Sequence, residues 1–152
     1  MDQNNVNEAV LPLEKFIAYR LNQAAEKVSQ KFALEYKKRY GMTRPEWRTL
    51  ATIGQFGNIT AKQICQHSSM HKTKVSRAIF TLEQRRWLKR TVDQNDRRVE
   101  HLELTLQGQK AYLELSDVAR NFQDQIYAAL GPANTAALET SLDAIETLID
   151  TQ

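Results

Sequence analysis

Residues 60–108 read TAKQICQHSSMHKTKVSRAIFTLEQRRWLKRTVDQNDRRVEHLELTLQG, and the order of local signals along them decides the fold. Thr60-Ala61-Lys62-Gln63 is a capping box. The Thr hydroxyl accepts from the third amide of a helix and the Gln side chain reaches back to the cap. It opens a short helix to about His67. Ser68-Ser69-Met70-His71 reads as a tight turn with Met70 as its apolar plug. A further helix runs from about Lys72 to Arg85, with Val75, Ile79 and Leu82 at helical spacing on its inner face. Short helix, turn, longer helix is the organisation of a helix-turn-helix.

Trp87–Val92 then reads as a strand. Asp93-Gln94-Asn95-Asp96 is rich in turn formers. Val99–Leu104 alternates apolar and polar residues, as a half-buried strand does. Two strands joined by a charged turn make a hairpin, with Arg97 and Arg98 at or near its tip. Thr105 caps a long helix that continues to about Leu130, where Gly131-Pro132 breaks it. A last helix runs from about Pro132 to Asp150 with Leu138, Leu142, Ile145, Leu148 and Ile149.

On the N-terminal side, apolar residues recur at helical spacing from Leu13 to about Arg39 (Phe16, Ile17, Leu21, Ala24, Val28, Phe32, Tyr36). Pro12 stands where a helix start tolerates it, and Gly41 ends the pattern. Thr43-Arg44-Pro45-Glu46 is a second capping-box pattern. Its helix carries Trp47, Leu50, Ala51 and Ile53 and fades at Gly54 and Gly57, after which Asn58-Ile59 forms a very short strand.

The 152 residues carry a formal charge of only +3, but the charge is not spread evenly. From His71 to Arg98 nine Lys/Arg stand against three acids, six net positive charges, while the rest of the chain is net negative by three. A basic face on a mildly acidic body suits a polyanion. The N-terminal residues of a second helix in such a motif face base edges in the major groove, which is about 12 Å wide. Here these are His71, Lys72, Thr73, Lys74, Ser76 and Arg77, all hydrogen-bonding types suited to bases and phosphates. A basic hairpin tip can enter the neighbouring minor groove, whose negative potential favours Arg. Arg97 and Arg98 are the candidates, and Asp96 can orient one of them by a charge-assisted bond while the other points at DNA. Between helix and tip, Arg85, Arg86, Lys89 and Arg90 read as phosphate contacts or solvated charge.

The terminal helices bear more apolar surface than a small winged domain needs, so a second copy of the chain is expected to cover it. A twofold dimer presents two reading helices to an inverted-repeat, pseudo-palindromic operator with half-sites about one helical turn apart.

Val75-Ser76-Arg77, Leu82-Glu83, Asp96-Arg97-Arg98 and Leu104-Thr105-Leu106-Gln107-Gly108 have the order and spacing of the MarR family of bacterial regulators. The stretch Ile64–Gly108 resembles that family, and the flanking helices match its layout over nearly the whole chain. The resemblance implies a triangular homodimer of winged helix-turn-helix lobes that represses transcription and, in many members, releases DNA on binding small aromatic or phenolic compounds; some members answer thiol oxidation instead. The chain departs from the family at Arg86, where glycine is usual, at Trp87, where a smaller aliphatic is usual, and at His71, where Ser is usual. Ligands of relatives bind where the first two helices meet the DNA lobe. That makes Tyr19, Arg20, Tyr40 and Trp47 candidates, with Arg clamping an acid and aromatics walling a cleft. Core or dimer packing is the commoner use of such aromatics, and Trp47 in particular reads as packing.

Other chemistry finds little support. No phosphate-binding glycine loop, nucleophile elbow or metal motif is present, so no catalysis, metal or cofactor is expected. His67, His71 and His101 have no metal-ligand spacing with Cys65. Cys65 reads as a small buried hydrophobe rather than a redox switch. No apolar run nears the roughly 18–20 residues that span a bilayer. The polar start MDQNNVNEAV is no secretory signal, and the expected location is the cytoplasm.

The expected fold class is therefore α+β, mostly α: a winged helix-turn-helix with a small β-hairpin wing and long N- and C-terminal dimerisation helices. One domain spans 1–152, with a DNA-binding lobe at about 43–104 and helical dimerisation regions at about 10–40 and 105–151. The alternative function is a winged-helix protein-interaction module without DNA binding, which would have no need of the six-charge segment.

Overall fold

The computed structural model describes residues 10–150, and the chain forms two compact units, Met1–Arg44 and Pro45–Gln152. In the first unit a single 3-10 turn, Leu13–Lys15, precedes helix α1, Ile17–Tyr40. The sequence pattern predicts one helix from Leu13. Instead Phe16 takes an extended conformation (φ −77°, ψ 118°) that separates turn from helix. Leu13, Phe16 and Ile17 are all exposed, so no packing within the unit rewards a continuous first turn. The other end is well fastened. Gly41 is left-handed (φ 62°), its amide donates to the Lys37 carbonyl at 2.8 Å, and the Met42 amide donates to the Tyr36 carbonyl. Arg44 grips Glu26 through both terminal nitrogens, at 2.7 and 3.1 Å.

Helix α2, Arg44–Phe56, leads into the second unit. It does not fade at Gly54 but runs through it, because Gly54 lies flat against the Tyr112 ring where any side chain would collide. Strand β1, Ile59–Thr60, follows, then α3, Ala61–Ser68, and α4, Lys72–Gln84. Strands β2, Leu88–Val92, and β3, Glu100–Leu104, form the hairpin. Helices α5, Leu106–Leu130, and α6, Pro132–Asp150, close the chain. The two-residue β1 adds a third strand to the hairpin. All pairs are antiparallel in the order β1-β3-β2, with Ile59 and Arg90 flanking Leu102.

The core of this unit is the inward side of the helices α2 to α5 and of the sheet: Leu50 and Ile53 of α2, Ile64 of α3, Val75, Ala78, Ile79 and Leu82 of α4, Leu88 and Leu102 of the sheet, Ala111 and Leu115 of α5. Helix α6 buries none of its nineteen residues. Among the described residues no helix is long and apolar enough to cross a membrane.

Candidate nucleic-acid interface

Helix α4 is set up by two local devices. The Thr60 hydroxyl accepts from the Gln63 amide at 3.3 Å, and the Gln63 carboxamide accepts from the Thr60 amide at 2.9 Å, so the capping box forms and fixes the start of α3. The turn after it uses Ser69 in the left-handed region (φ 54°), and Met70 is half-buried beneath it. His71 then caps α4, its Nδ1 accepting from the Thr73 amide at 3.3 Å. Lys72, Thr73, Lys74, Ser76 and Arg77 are exposed over the first turns, opposite the buried Val75 and Ala78. Lys72, Lys74 and Arg77 have no ion-pair partner among the described residues.

The hairpin is organised by two aspartates. Asp93 Oδ1 accepts from the amides of Asn95 and Asp96 at 2.8 and 2.9 Å, and its Oδ2 lies 2.8 Å from His101 Nε2 on the facing strand. The His101 bond, then the two amides, lower the Asp93 carboxyl to about 2. Asp96 binds Arg98: its Oδ1 accepts from the Arg98 amide at 3.0 Å and from Nε at 3.1 Å, with Nη2 on Oδ2 at 3.3 Å. That guanidinium holds the Asp96 carboxyl below its ordinary value. Arg97, at the same tip, is exposed and has no ion-pair partner among the described residues.

Three of the four cations read as phosphate contacts or solvated charge, Arg85, Lys89 and Arg90, have partners within the protein. Arg90 spans Glu100 of β3 (2.9 Å) and Glu83 of α4 (3.0 Å), which raises its pKa further. Lys89 pairs with Glu103 at 3.2 Å, and Asn58 donates to the same carboxylate at 2.8 Å. The Arg85 guanidinium lies 5.0 Å above the Trp87 ring. Only cross-strand and helix-to-strand neighbours reveal the ion pairs of Lys89 and Arg90; a count along the chain does not.

Arg86, which stands where the family that the chain resembles usually has glycine, is left-handed (φ 61°). The turn it makes is clamped to α5. The Thr105 hydroxyl donates to the Arg86 carbonyl at 2.7 Å, the Thr105 amide donates to the Trp87 carbonyl at 2.9 Å, and the Gly108 amide donates to the Thr105 hydroxyl at 3.2 Å. Gly108 approaches the Trp87 backbone so closely that a Cβ would sit 2.0 Å from its carbonyl oxygen. The run Leu104–Gly108 is thus a mechanical joint between the end of α4 and the start of α5.

The candidate ligand residues are placed as follows. Tyr19 and Arg20 are exposed on α1, Tyr40 is half-buried at its end, and Trp47 is half-buried on α2. None of them lines a cavity of about 340 Å³ between α3 and α4, whose walls include Lys62, Cys65, Lys72 and Ser76, or one of about 480 Å³ bounded by Phe56, Asn58, Gln63 and His67. Cys65 is a free thiol, only half-buried, on the wall of the first cavity. Each histidine has a local partner: His67 meets the Phe56 ring edge-on at 4.8 Å, His71 caps α4 and His101 holds Asp93. Among the described residues no group of three or more His, Cys, Asp or Glu could hold a metal ion.

A helix-turn-helix whose second helix runs into a sheet hairpin defines a winged helix-turn-helix. Residues 40–99, which hold most of this motif, match the model of the MarR family. The chain is 25% identical over 116 residues to an uncharacterized HTH-type transcriptional regulator, YwoH, of Bacillus subtilis (strain 168), covering 76% of this chain and 83% of that one. Its fold matches the crystal structure of a MarR/EmrR family transcriptional regulator from Acinetobacter sp. ADP1 with a TM-score of 0.80 at 22% identity, over 93% of this chain and 100% of the other. Streptococcus pneumoniae FabT, solved in complex with DNA, matches with a TM-score of 0.72 at 18% identity, over 99% of each chain. Over the matched residues and in fold, the chain is thus similar to MarR-type transcriptional regulators.

Proposed function

We propose that the chain acts as a homodimeric repressor that binds an inverted-repeat operator through α4 and the hairpin. The observation that carries this is the partition of charge. Lys72, Lys74 and Arg77 stand exposed and unpaired among the described residues on the reading helix, and Arg97 does so at the hairpin tip, while Lys89, Arg90 and Arg98 are held by carboxylates. On this reading residues 43–104 are the DNA-binding lobe, with His71, Thr73 and Ser76 beside the helix cations. Residues 10–40 and 105–151 are the dimerisation region. Exposed Leu13, Phe16 and Ile17 at one end and Leu138, Leu142, Leu148 and Ile149 at the other favour burial against a second copy. The DNA complex of FabT supports the same use of the fold here.

The test is a mobility shift with the DNA upstream of the gene, repeated across salt concentrations. Each phosphate contact contributes about 0.9 to the slope of log affinity on log salt. Five unpaired cations (Lys72, Lys74, Arg77, Arg86, Arg97) give a slope of roughly 4–5 per protomer, whereas all nine would give roughly 8. Arg97→Ala should weaken binding and flatten the slope by about 1, and Arg98→Ala should do less. No retention of the protein on DNA or heparin at moderate salt would favour the protein-interaction module. Control by a small aromatic or phenolic ligand is proposed through Tyr19, Arg20, Tyr40 and Trp47. Thermal stabilisation by phenolic acids that disappears in Arg20→Ala supports it, and stabilisation unchanged in that variant removes it.

A further inference from the structure

Helix α4 turns about 100° per residue, so its buried side chains Val75, Ala78, Ile79 and Leu82 fix which way the rest point. The direction opposite them falls among Thr73, Arg77, Phe80 and Gln84, which lie within about 60° of one another around the axis. Three of these four are hydrogen-bonding residues. The fourth is a phenyl ring, 58% exposed and without a ring contact among the described residues. Exposed apolar side chains are ordinary when scattered. This one belongs to the face that the DNA-binding reading turns toward the bases.

Phe80 is eight residues beyond Lys72, a rise of about 12 Å along the axis, so it stays within the span of a major groove about 12 Å wide. A phenyl ring neither donates nor accepts a conventional hydrogen bond. Among base edges in that groove the one apolar group on offer is the C5-methyl of thymine. The other habitual use of Phe on DNA, as a wedge between base steps, works from the minor groove. A whole helix does not enter a groove about 6 Å wide.

We propose that Phe80 is a specificity-determining residue that covers the C5-methyl group of a thymine in each operator half-site. This rests on the DNA-binding reading above, and the experiment separates the two. The full-length chain is used to select duplexes from a random-sequence pool. In the selected duplex each thymine is then replaced, one at a time, by deoxyuridine, which lacks only the methyl group. Burial of one methyl group corresponds to a factor of about four in an equilibrium constant. The wild type should lose about fourfold at one thymine per half-site. Phe80→Ala should bind the thymine duplex about as weakly as the wild type binds the uracil one, and should no longer distinguish them. Phe80→Leu, still apolar, should keep most of the discrimination, and the melting curves of both variants should match the wild type. Indifference of the wild type to every uracil, a uracil penalty that persists in Phe80→Ala, or selected half-sites without thymine would overturn the assignment while leaving DNA binding intact. Failure to select any duplex would overturn both.

Discussion

Gly108→Ala is the sharpest perturbation of the frame that carries α4. The added Cβ would lie 2.0 Å from the Trp87 carbonyl oxygen and 2.8 Å from its carbonyl carbon. Non-bonded heavy atoms sit comfortably at about 3.5 Å, so α5 and the Arg86–Trp87 turn must part by more than about 1 Å. Both sides are backbone, so no side-chain rotation relieves the clash. Separation also stretches the bonds from the Thr105 amide and hydroxyl to the Trp87 and Arg86 carbonyls, 2.9 and 2.7 Å long. Overpacking costs roughly 1–3 kcal/mol and each weakened bond about 1 kcal/mol. Alanine's better helix propensity returns at most about 1 kcal/mol. The net loss is about 2–4 kcal/mol, which for a chain of this size lowers Tm by at least about 4 °C. Thermal unfolding followed by circular dichroism reads it directly. Gly54→Ala is the comparison: its Cβ would meet the Tyr112 ring at 2.6 Å, and a side chain can yield where a backbone cannot. A Tm for Gly108→Ala equal to or above the wild type would mean that the joint is not tight and that helix propensity governs there.

Three further outcomes follow from single residues. Arg86→Gly relieves a left-handed side-chain-bearing residue (φ 61°) and should raise stability by roughly 0.5–1 kcal/mol; a lower Tm would show that the Arg86 side chain holds something in place. The Asp93 carboxyl, lowered to about 2, should titrate near that value by NMR and move back toward 3.8 in His101→Leu. Because its folded value is the lower one, the stability it contributes is complete above about pH 4 and is lost as pH falls toward 2, and an identical midpoint in the variant would remove His101 as the cause. Thr49 is fully buried with no partner for its hydroxyl among the described residues, so Thr49→Val should stabilise by roughly 1–3 kcal/mol in urea denaturation; a loss would reveal a partner such as bound water.

Features of this fold that depend on neighbours three or four residues apart could be read from the chain. The Thr60–Gln63 box, the periodic burial of α4 and the break at Gly131 are of that kind, because the interacting groups are fixed by helical geometry alone. That Arg86 stands at a position where glycine is usual is legible through a motif whose other members keep their places, although its left-handed conformation is seen only in the structure. What escaped depends on chain segments that meet only after folding. Strand β1 is two residues long and exists because Ile59 pairs with Leu102, forty-three positions later. Gly54 stays helical because Tyr112 lies on it. Phe16 interrupts α1 although its apolar spacing fits a helix, since spacing records what a helix could bury and not whether anything is there to bury it against. For the candidate site, the alternation of Val99–Leu104 marks a half-buried strand and gives no sign of what His101 does. Its role in fixing Asp93 needed the hairpin register to place the two side by side.

The basic segment shows most clearly what folding does to a linear reading. Counted along the chain it has three acids, yet Glu100 and Glu103 lie two and five residues past its end and fold back onto Arg90 and Lys89. Their pairs tie β2 to β3, and Arg90 also reaches Glu83 on α4, so these cations belong to the frame and are poorly placed to release counterions. The same division recurs within the tip, where Asp96 engages Arg98 and leaves Arg97 exposed. Charge that holds the hairpin against α4 cannot simultaneously meet phosphate, and charge that meets phosphate must be left unpaired in the free protein. Neighbouring arginines of one run thus serve opposite ends. Arg90 and Arg98 stiffen the hairpin, and the Thr105–Gly108 joint fixes it to α5. With the frame rigid, Arg97 and the first turns of α4 are presented at a set distance, which is what the proposed binding to an operator half-site would require.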